Sequence, residues 1–301
     1  MEANPTLDQL QVFLAVAEEG GFSAASRKLN RAQSVISYTI TNLEAQLDVR
    51  LFERTGTRQP RLTDAGSALL EDARRMVAGL HLLRARARSL GQGLEGQVAV
   101  AVDALVPMPV LTAVLKAFRS EFPAVSVRLY TGALGAVADL VLKREVDAGI
   151  AGGAAMGPAD LVGRKIGQKQ NIPVAAPAHP LAQAREPVPA PIVREHFQIV
   201  ITDLTEHTSG QDFHVHAFNT WRVTDVATKH ALILAGLGWG GLPAWLVEDD
   251  ILNGRLIELS LEPYPRADYS LYAVRRSDAP YGPATSWLVD RFEHELENFG
   301  Q

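Results

Sequence analysis

The chain has 301 residues, 47% of them hydrophobic, with no cysteine and a formal net charge of −5. That length suffices for two or three packed units, and the lack of cysteine excludes disulfides, thiolate metal sites and cysteine-based redox sensing. The first residues have neither a basic start nor an apolar core, and the longest uncharged stretch, Ala231 to Val247, holds four glycines and Pro243; it is shorter than the ~20 residues of a membrane span, so a cytoplasmic protein with no membrane partner is expected.

Charge divides unevenly. Residues 1 to 90 carry 12 basic and 10 acidic side chains, and residues 91 to 301 carry 17 and 24. A basic head on an acidic body is what a nucleic-acid reader joined to a non-binding domain would show.

The first helix is expected to start at Thr6, which makes a capping box with Gln9, and to run through Leu10, Phe13, Leu14 and Ala17. A second begins at Ser23, read as its cap, and continues through small residues to Leu29, letting another helix cross at close range. Asn30 and Arg31 make the turn. The third helix, about Ala32 to Leu47, puts Ile36, Ile40, Leu43 and Leu47 on one stripe, so that Gln33, Ser34, Ser37, Tyr38 and Thr41 face outward. Short hydrogen-bonding side chains near a helix N-terminus suit base edges in the major groove.

The next segment, Leu51 to Leu62, reads as a hairpin with a Gly/Thr tip and Arg54, Arg58 and Arg61 against one acid, Glu53. This order is a winged helix-turn-helix over residues 1–62, with DNA contacts expected from Ser23, Arg31, Gln33, Ser34, Ser37, Tyr38, Thr41, Arg54, Arg58 and Arg61. From Arg27 to Arg61 the balance is seven basic to three acidic residues. So modest a footprint calls for more than one copy on the DNA.

Thr63 caps a long helix, residues 63–90, whose Leu69, Met76, Leu83 and Leu90 repeat every seven positions, with Gly66, Ala73, Leu80 and Ala87 as a second seam. A heptad favours a partner helix over the chain's own core, so Leu69, Met76, Leu80, Leu83 and Leu90 are expected to dimerise. Residues 91–96, with three glycines, break the helix and form a hinge.

From Gln97 strands and helices alternate. Val98 to Val102, Pro107 to Phe122, Val125 to Tyr130, Leu134 to Lys143 and Ala148 to Ala151 make βαβαβ. A second unit runs through Pro173 to Ala176, Ile192 to His196, Gln198 to Thr202, Trp221 to Val223, Ala227 to Leu237, Trp239 to Leu242 and Trp245 to Leu252, stopped by Gly254. Tyr269 to Val274 and Ala284 to Phe299 return to the first. The expected layout of residues 97–301 is two open α/β lobes, about 97–163 with 267–301 and about 164–266, separated by a cleft. Ligands in such sheets bind beyond the carboxyl ends of strands. Asp103, Ala104, Leu105, Val106, Thr131, Gly152, Gly153, Thr202, Asp203 and Thr205 are therefore the candidate small-molecule site. Carboxylates at Asp103 and Asp203 would suit an effector with hydrogen-bond donors or positive charge, bridging the two.

One run of residues resembles the LysR-type transcriptional regulators: Leu10, Phe13, Val16-Ala17-Glu18, Gly20-Gly21-Phe22-Ser23-Ala24-Ala25, Leu29, Gln33, Ser37, Ile40, Leu43-Glu44, Leu47, Leu51-Phe52, Arg54, Leu62-Thr63 and Ala65-Gly66. The resemblance implies a multi-domain α+β protein: a winged helix-turn-helix, a linker helix that pairs two subunits, and an effector domain similar to periplasmic binding proteins. It further implies double-stranded DNA and a small-molecule effector as partners and a homodimer or homotetramer as the assembly. The chain departs from the family pattern at Ala32, Ser34 and Tyr38, and at Asp48, where glycine usually follows the helix. Asp103 and Asp203 stand where the family often has hydroxyl side chains.

The rival reading is an α/β enzyme or metal-binding protein with an N-terminal dimerisation region. His207, Asp212, His214 and His216 lie close in sequence, and a His-x-His pair on a strand would aim two imidazoles to one face, but the segment reads as an exposed hairpin. No Gly-x-Ser-x-Gly, phosphate loop or dinucleotide fingerprint follows a strand, so neither a catalytic residue nor a cofactor is expected.

Overall fold

The computed structural model describes residues 4–53, 60–91, 93–153, 160–184, 186–208 and 211–299, apart from the side chains of residues 82, 85, 86 and 88–90. The chain divides into two compact units, Met1–Arg88 and Ser89–Gln301.

The first unit holds α1 (Leu7–Glu18), α2 (Phe22–Leu29), α3 (Gln33–Leu47) and α4 (Asp64–Gly91). Thr6 and Gln9 cap α1 reciprocally, as expected. Helix α2 starts one residue earlier than Ser23, with Gly21 at its N-cap; Ser23 accepts instead from Arg27 through its hydroxyl. Asn30 and Asp48 close α2 and α3 in the left-handed region, at φ 51° and 54°, which short polar side chains tolerate better than most. Ile36, Ile40 and Leu43 are buried with Val12, Phe13 and Val16 in one core. Phe52 docks into it, edge-on to Phe13 and Phe22 with centroids 5.7 Å away in both cases. Burying such a ring is worth about 1.5–3 kcal/mol.

The base of the hairpin is an antiparallel bridge between Phe52 and Leu62. Thr63 caps α4 through Gly66 N–H. A Cβ on Gly66 would stand 2.2 Å from the Leu51 carbonyl oxygen, so this turn needs glycine for close approach. The second seam is corrected here: Gly66 and Ala73 are buried, and Ala73 and Val77 pack into the chain's own helical core together with Leu69 and Leu70. Met76 and Leu83 do point away, 59% and 63% exposed.

The second unit is built on one nine-stranded mixed sheet: β1 (Gln97–Asp103), β2 (Ser126–Gly132), β3 (Ala148–Gly152), β4 (Leu161–Ala175), β5 (Gln198–Ile201), β6 (Thr220–Val223), β7 (Trp239–Pro243), β8 (Ile257–Glu258) and β9 (Ala267–Arg276). The spatial order is β2-β1-β3-β9-β4-β7-β5-β6, with β8 beside β4. Helices α5 (Met108–Glu121), α6 (Ala136–Leu142), α7 (Ala190–Arg194), α8 (Val226–Leu234), α9 (Ala244–Leu252) and α10 (Pro283–Asn298) pack on its faces.

The two expected lobes share this one sheet, and the extent of one strand is corrected. Strand β4 is 15 residues long, not the four of Pro173 to Ala176, and pairs antiparallel with β9 from Leu161 to Asn171, with a bulge between Lys165 and Gly167. This ribbon joins the halves. Arg164, Lys165, Gln168, Lys169 and Gln170 hide its period in sequence, because they face solvent or other polar groups along much of its length. Arg164 pairs with Asp290 and Glu293 on α10, and the Lys169 ammonium donates to the Leu296 and Phe299 carbonyls. Its apolar cores include a first around Val100, Phe118 and Phe292 and a second around Ile172, Ile199 and Leu242, with further clusters around Val137 and Val141 and around Trp239 and Tyr264.

Candidate functional site

The first unit presents a polar helix face. Gln33, Ser34, Ser37, Tyr38 and Thr41 on α3 are all exposed, while Ile36, Ile40 and Leu43 on the opposite side are buried. Val35 is exposed as well, at 46%. Tyr38 is 68% exposed, an apolar ring with nothing in its own unit to cover it. Arg31 is exposed but held by Asp8 in a two-pronged pair, 2.7 and 2.9 Å, which orients the α2–α3 turn and leaves less of its charge for phosphate. Ser23 and Arg61 are also exposed. Arg54 and Arg58 lie outside the described residues.

Sequence reasoning missed what aims the wing. Glu44, buried on α3, accepts from Leu51 N–H at 2.8 Å and Phe52 N–H at 3.2 Å, and pairs with Arg50 at 3.1 Å. A buried carboxylate satisfied by two backbone donors fixes the strand's departure from the helix.

In the second unit a cavity of about 400 Å³ opens beside the carboxyl ends of β1 and β3. Of the expected ligand residues, Asp103, Leu105, Gly152 and Gly153 line it. Asp103 is 2% exposed; its carboxylate accepts from Leu105 and Gly152 N–H. Burial pushes that carboxyl up to about 6, against the pull of the two N–H donors. The Leu105 carbonyl is held by the Trp245 indole at 3.2 Å and the Tyr269 hydroxyl at 2.8 Å.

The rest of the expected set lies outside this cavity. Val106 is buried in the first core, Ala104 packs against the second, and Thr131 faces solvent on β2. Thr202, Asp203 and Thr205 line a separate, adjoining cavity. Asp203 is largely engaged, mostly within its own loop: it accepts from Gly135 N–H, Thr205 N–H, and the Thr205 and Thr208 hydroxyls. Burial alone would raise its pKa, but those bonds outweigh burial and hold the carboxyl below its ordinary value. Asp203 therefore fastens a loop.

The opposite wall carries residues that the sequence did not single out as ligands. Lys229 on α8 is buried; among the described residues no carboxylate or hydrogen-bond acceptor meets its ammonium, and burial brings it down to about 8. Next to it His214 stacks on Tyr264, centroids 5.0 Å apart and planes within 10°. Burial and the Lys229 charge hold that imidazole below its ordinary pKa. Gln198, fully buried, donates to the His214 carbonyl and accepts from His216 and Ala217 N–H. The one sequence signal for Lys229 was a lone cation among Val226, Ala227, Leu232 and Ile233 on a short helix.

The histidines do not converge, and the buried His216 Nε2 has no hydrogen-bond partner among the described residues. His207 meets Asp139 at 3.2 Å, and His216 leans on Tyr264. The segment is a short 3-10 turn, Glu206–Thr208, followed by irregular chain, which corrects the expected hairpin. Among the described residues no three His, Cys, Asp or Glu side chains stand close enough to hold a metal ion.

A helix-turn-helix unit with a polar exposed helix face, followed by an α/β domain that carries a small-molecule-sized cleft, defines a ligand-binding transcription regulator. Residues 7–67 match the bacterial regulatory helix-turn-helix protein, lysR family, and residues 91–297 match the LysR substrate binding domain. The chain belongs to the LysR family of DNA-binding transcriptional regulators and is not an enzyme. It is 32% identical over 260 residues to the uncharacterized HTH-type transcriptional regulator YeeY of Escherichia coli, covering 84% of this chain and 82% of that one. To the probable HTH-type transcriptional regulator YhaJ of the same organism it is 31% identical, covering 94% of each. Among solved structures, CrgA, a LysR-type transcriptional regulator from Neisseria meningitidis, shares the fold at 24% identity and a TM-score of 0.51, over 98% of this chain and 99% of that one. Among the described residues no helix is long and apolar enough to cross a membrane.

Proposed function

We propose that this regulator reads operator DNA with the exposed face of α3, Gln33 and Ser37 meeting base edges and Arg54, Arg58 and Arg61 holding phosphates. In this reading Ser34, Tyr38 and Thr41 flank the base contacts, and residues 63–90 pair two subunits in the cytoplasm, with residues 91–96 as the hinge to the effector domain. A small-molecule effector occupies the Asp103 cleft and shifts which half-sites the paired readers occupy, more than the affinity of one reader for one half-site. The observation that supports it most is the split of α3 between a buried Ile36–Ile40–Leu43 stripe and the exposed Gln33, Ser34, Ser37, Tyr38 and Thr41.

Gln33→Ala and Arg61→Ala separate base reading from phosphate contact. A bidentate glutamine carries about 1–3 kcal/mol of discrimination, so in a binding assay over a randomised operator library Gln33→Ala flattens preference at one base position. Arg61→Ala lowers affinity evenly and reduces the salt slope by about one. Equal losses on every sequence from both variants would refute the assignment.

A further inference from the structure

We propose that the cleft takes a small organic acid: one carboxylate of the ligand sits on Lys229, and a hydrogen-bond donor at its other end turns toward Asp103. The proposal rests on the cleft being the effector pocket.

A cation removed from water without a partner is costly, and a leucine or methionine at that position would pack without the cost. Here the Lys229 side chain is buried on α8 and lines the cavity, and among the described residues nothing accepts from its ammonium. Its stem is clamped: a Cβ on Gly240 would come within 2.9 Å of Lys229 Cε. The nearby His214 is itself held on Tyr264 and through Gln198. The stem is therefore close-packed on β7, and the element that its ammonium lacks is an anion.

The charge of that anion follows from the walls. Lys229 is the single lysine or arginine among the described residues lining the cavity, while Asp103 and Asp268 both line it. A dianionic phosphate would be left under-neutralised beside two carboxylates; a single carboxylate is matched by one ammonium. At the other end Asp103 is an acceptor-only group when ionised, so it calls for a donor, an amine or hydroxyl. The same cavity is lined by Tyr264, Phe213, Val226 and Leu242, surfaces for a flat or aliphatic body. About 400 Å³ is within the usual span of small-molecule sites.

The test uses the full-length protein, its Lys229→Met, Lys229→Arg and Asp103→Asn variants, and four probes: benzoate, 3-aminobenzoate, benzyl alcohol and benzylamine, each titrated by thermal shift and calorimetry. Both acids are expected to bind the parent and to bind Lys229→Met at least tenfold more weakly, a loss of the size of one charge-assisted hydrogen bond. Benzyl alcohol should treat the two alike. Asp103→Asn should narrow the gap between 3-aminobenzoate and benzoate. Should Lys229→Met fail to fold, Lys229→Arg keeps the charge, and preference for benzoate over benzyl alcohol on the parent carries the comparison. Acids that bind parent and Lys229→Met equally overturn the proposal. Benzyl alcohol or benzylamine binding where neither acid does overturns it and leaves the cleft as effector pocket. If no probe binds the parent, both readings fall.

Discussion

Tyr264 rests its hydroxyl directly on Gly241, so near that a Cβ there would stand 1.8 Å from the oxygen. The same hydroxyl accepts from the Asn171 side chain at 2.9 Å, and the ring forms the platform for His214 and His216. One glycine on β7 thus sets the position of the aromatic wall of the cleft. Gly241→Ala must displace that ring. We expect a loss of about 1–3 kcal/mol, the usual cost of overpacking, read as a lower urea midpoint of the effector domain, together with altered probe affinity. A variant as stable as the parent, with unchanged probe binding, would show that the platform repacks freely.

Glu44 predicts a different defect. Glu44→Ala leaves Leu51 and Phe52 N–H buried without an acceptor, at about 1–3 kcal/mol, and releases the base of the wing. Stability of the reader unit and operator affinity should fall together, while probe binding in the cleft stays as in the parent. Normal operator affinity in Glu44→Ala would mean that the bridge between Phe52 and Leu62 positions the wing unaided.

Leu83 on α4 is more than half exposed in the single chain, as is Met76 one heptad earlier. Two such residues on one stripe are expected to face a partner helix. Leu83→Lys would place a charge in that seam, split the pair and lower operator affinity, because linked readers bind far more tightly than one. Light scattering that finds the parent mass, with operator binding intact, would place the contact between subunits elsewhere.

Asp103 makes stability depend on pH with an uncommon sign. Its folded carboxyl titrates at about 6 against 3.8 when unperturbed, so between those values the folded state binds the extra proton. Its contribution is neutral below pH 4, becomes destabilising as pH rises, and is complete above pH 6, reaching about 3 kcal/mol. Asp203 and Glu95, both held below their ordinary values, slope the other way, so the informative quantity is a difference. The urea stability of Asp103→Asn minus that of the parent should grow from pH 4 to pH 7 and then level off. A difference flat across that range would place the carboxyl near its ordinary value.

What the chain's order of residues determined by itself is local. The Thr6–Gln9 box, the Ile36–Ile40–Leu43 stripe, the left-handed Asp48 and the Thr63 cap depend on neighbours within a turn or two, where spacing alone dictates geometry. The same holds for the family, since a spaced set of small and apolar residues in a helix-turn-helix encodes close crossing. What only the tertiary structure decided is which distant residues meet. Asp103 and Asp203 both end strands and look equivalent in sequence, yet one lines the cleft and the other is consumed by Gly135, Thr205 and Thr208, because solvation depends on contacts 68 residues away. Lys229 reads as an ordinary helix cation until α8 packs on β5 and β7 and buries it. Strand β4 escaped notice for the matching reason: its polar side chains are answered by α10 and β9, partners more than 90 positions on, and no periodicity within a strand records a neighbour that far along the chain.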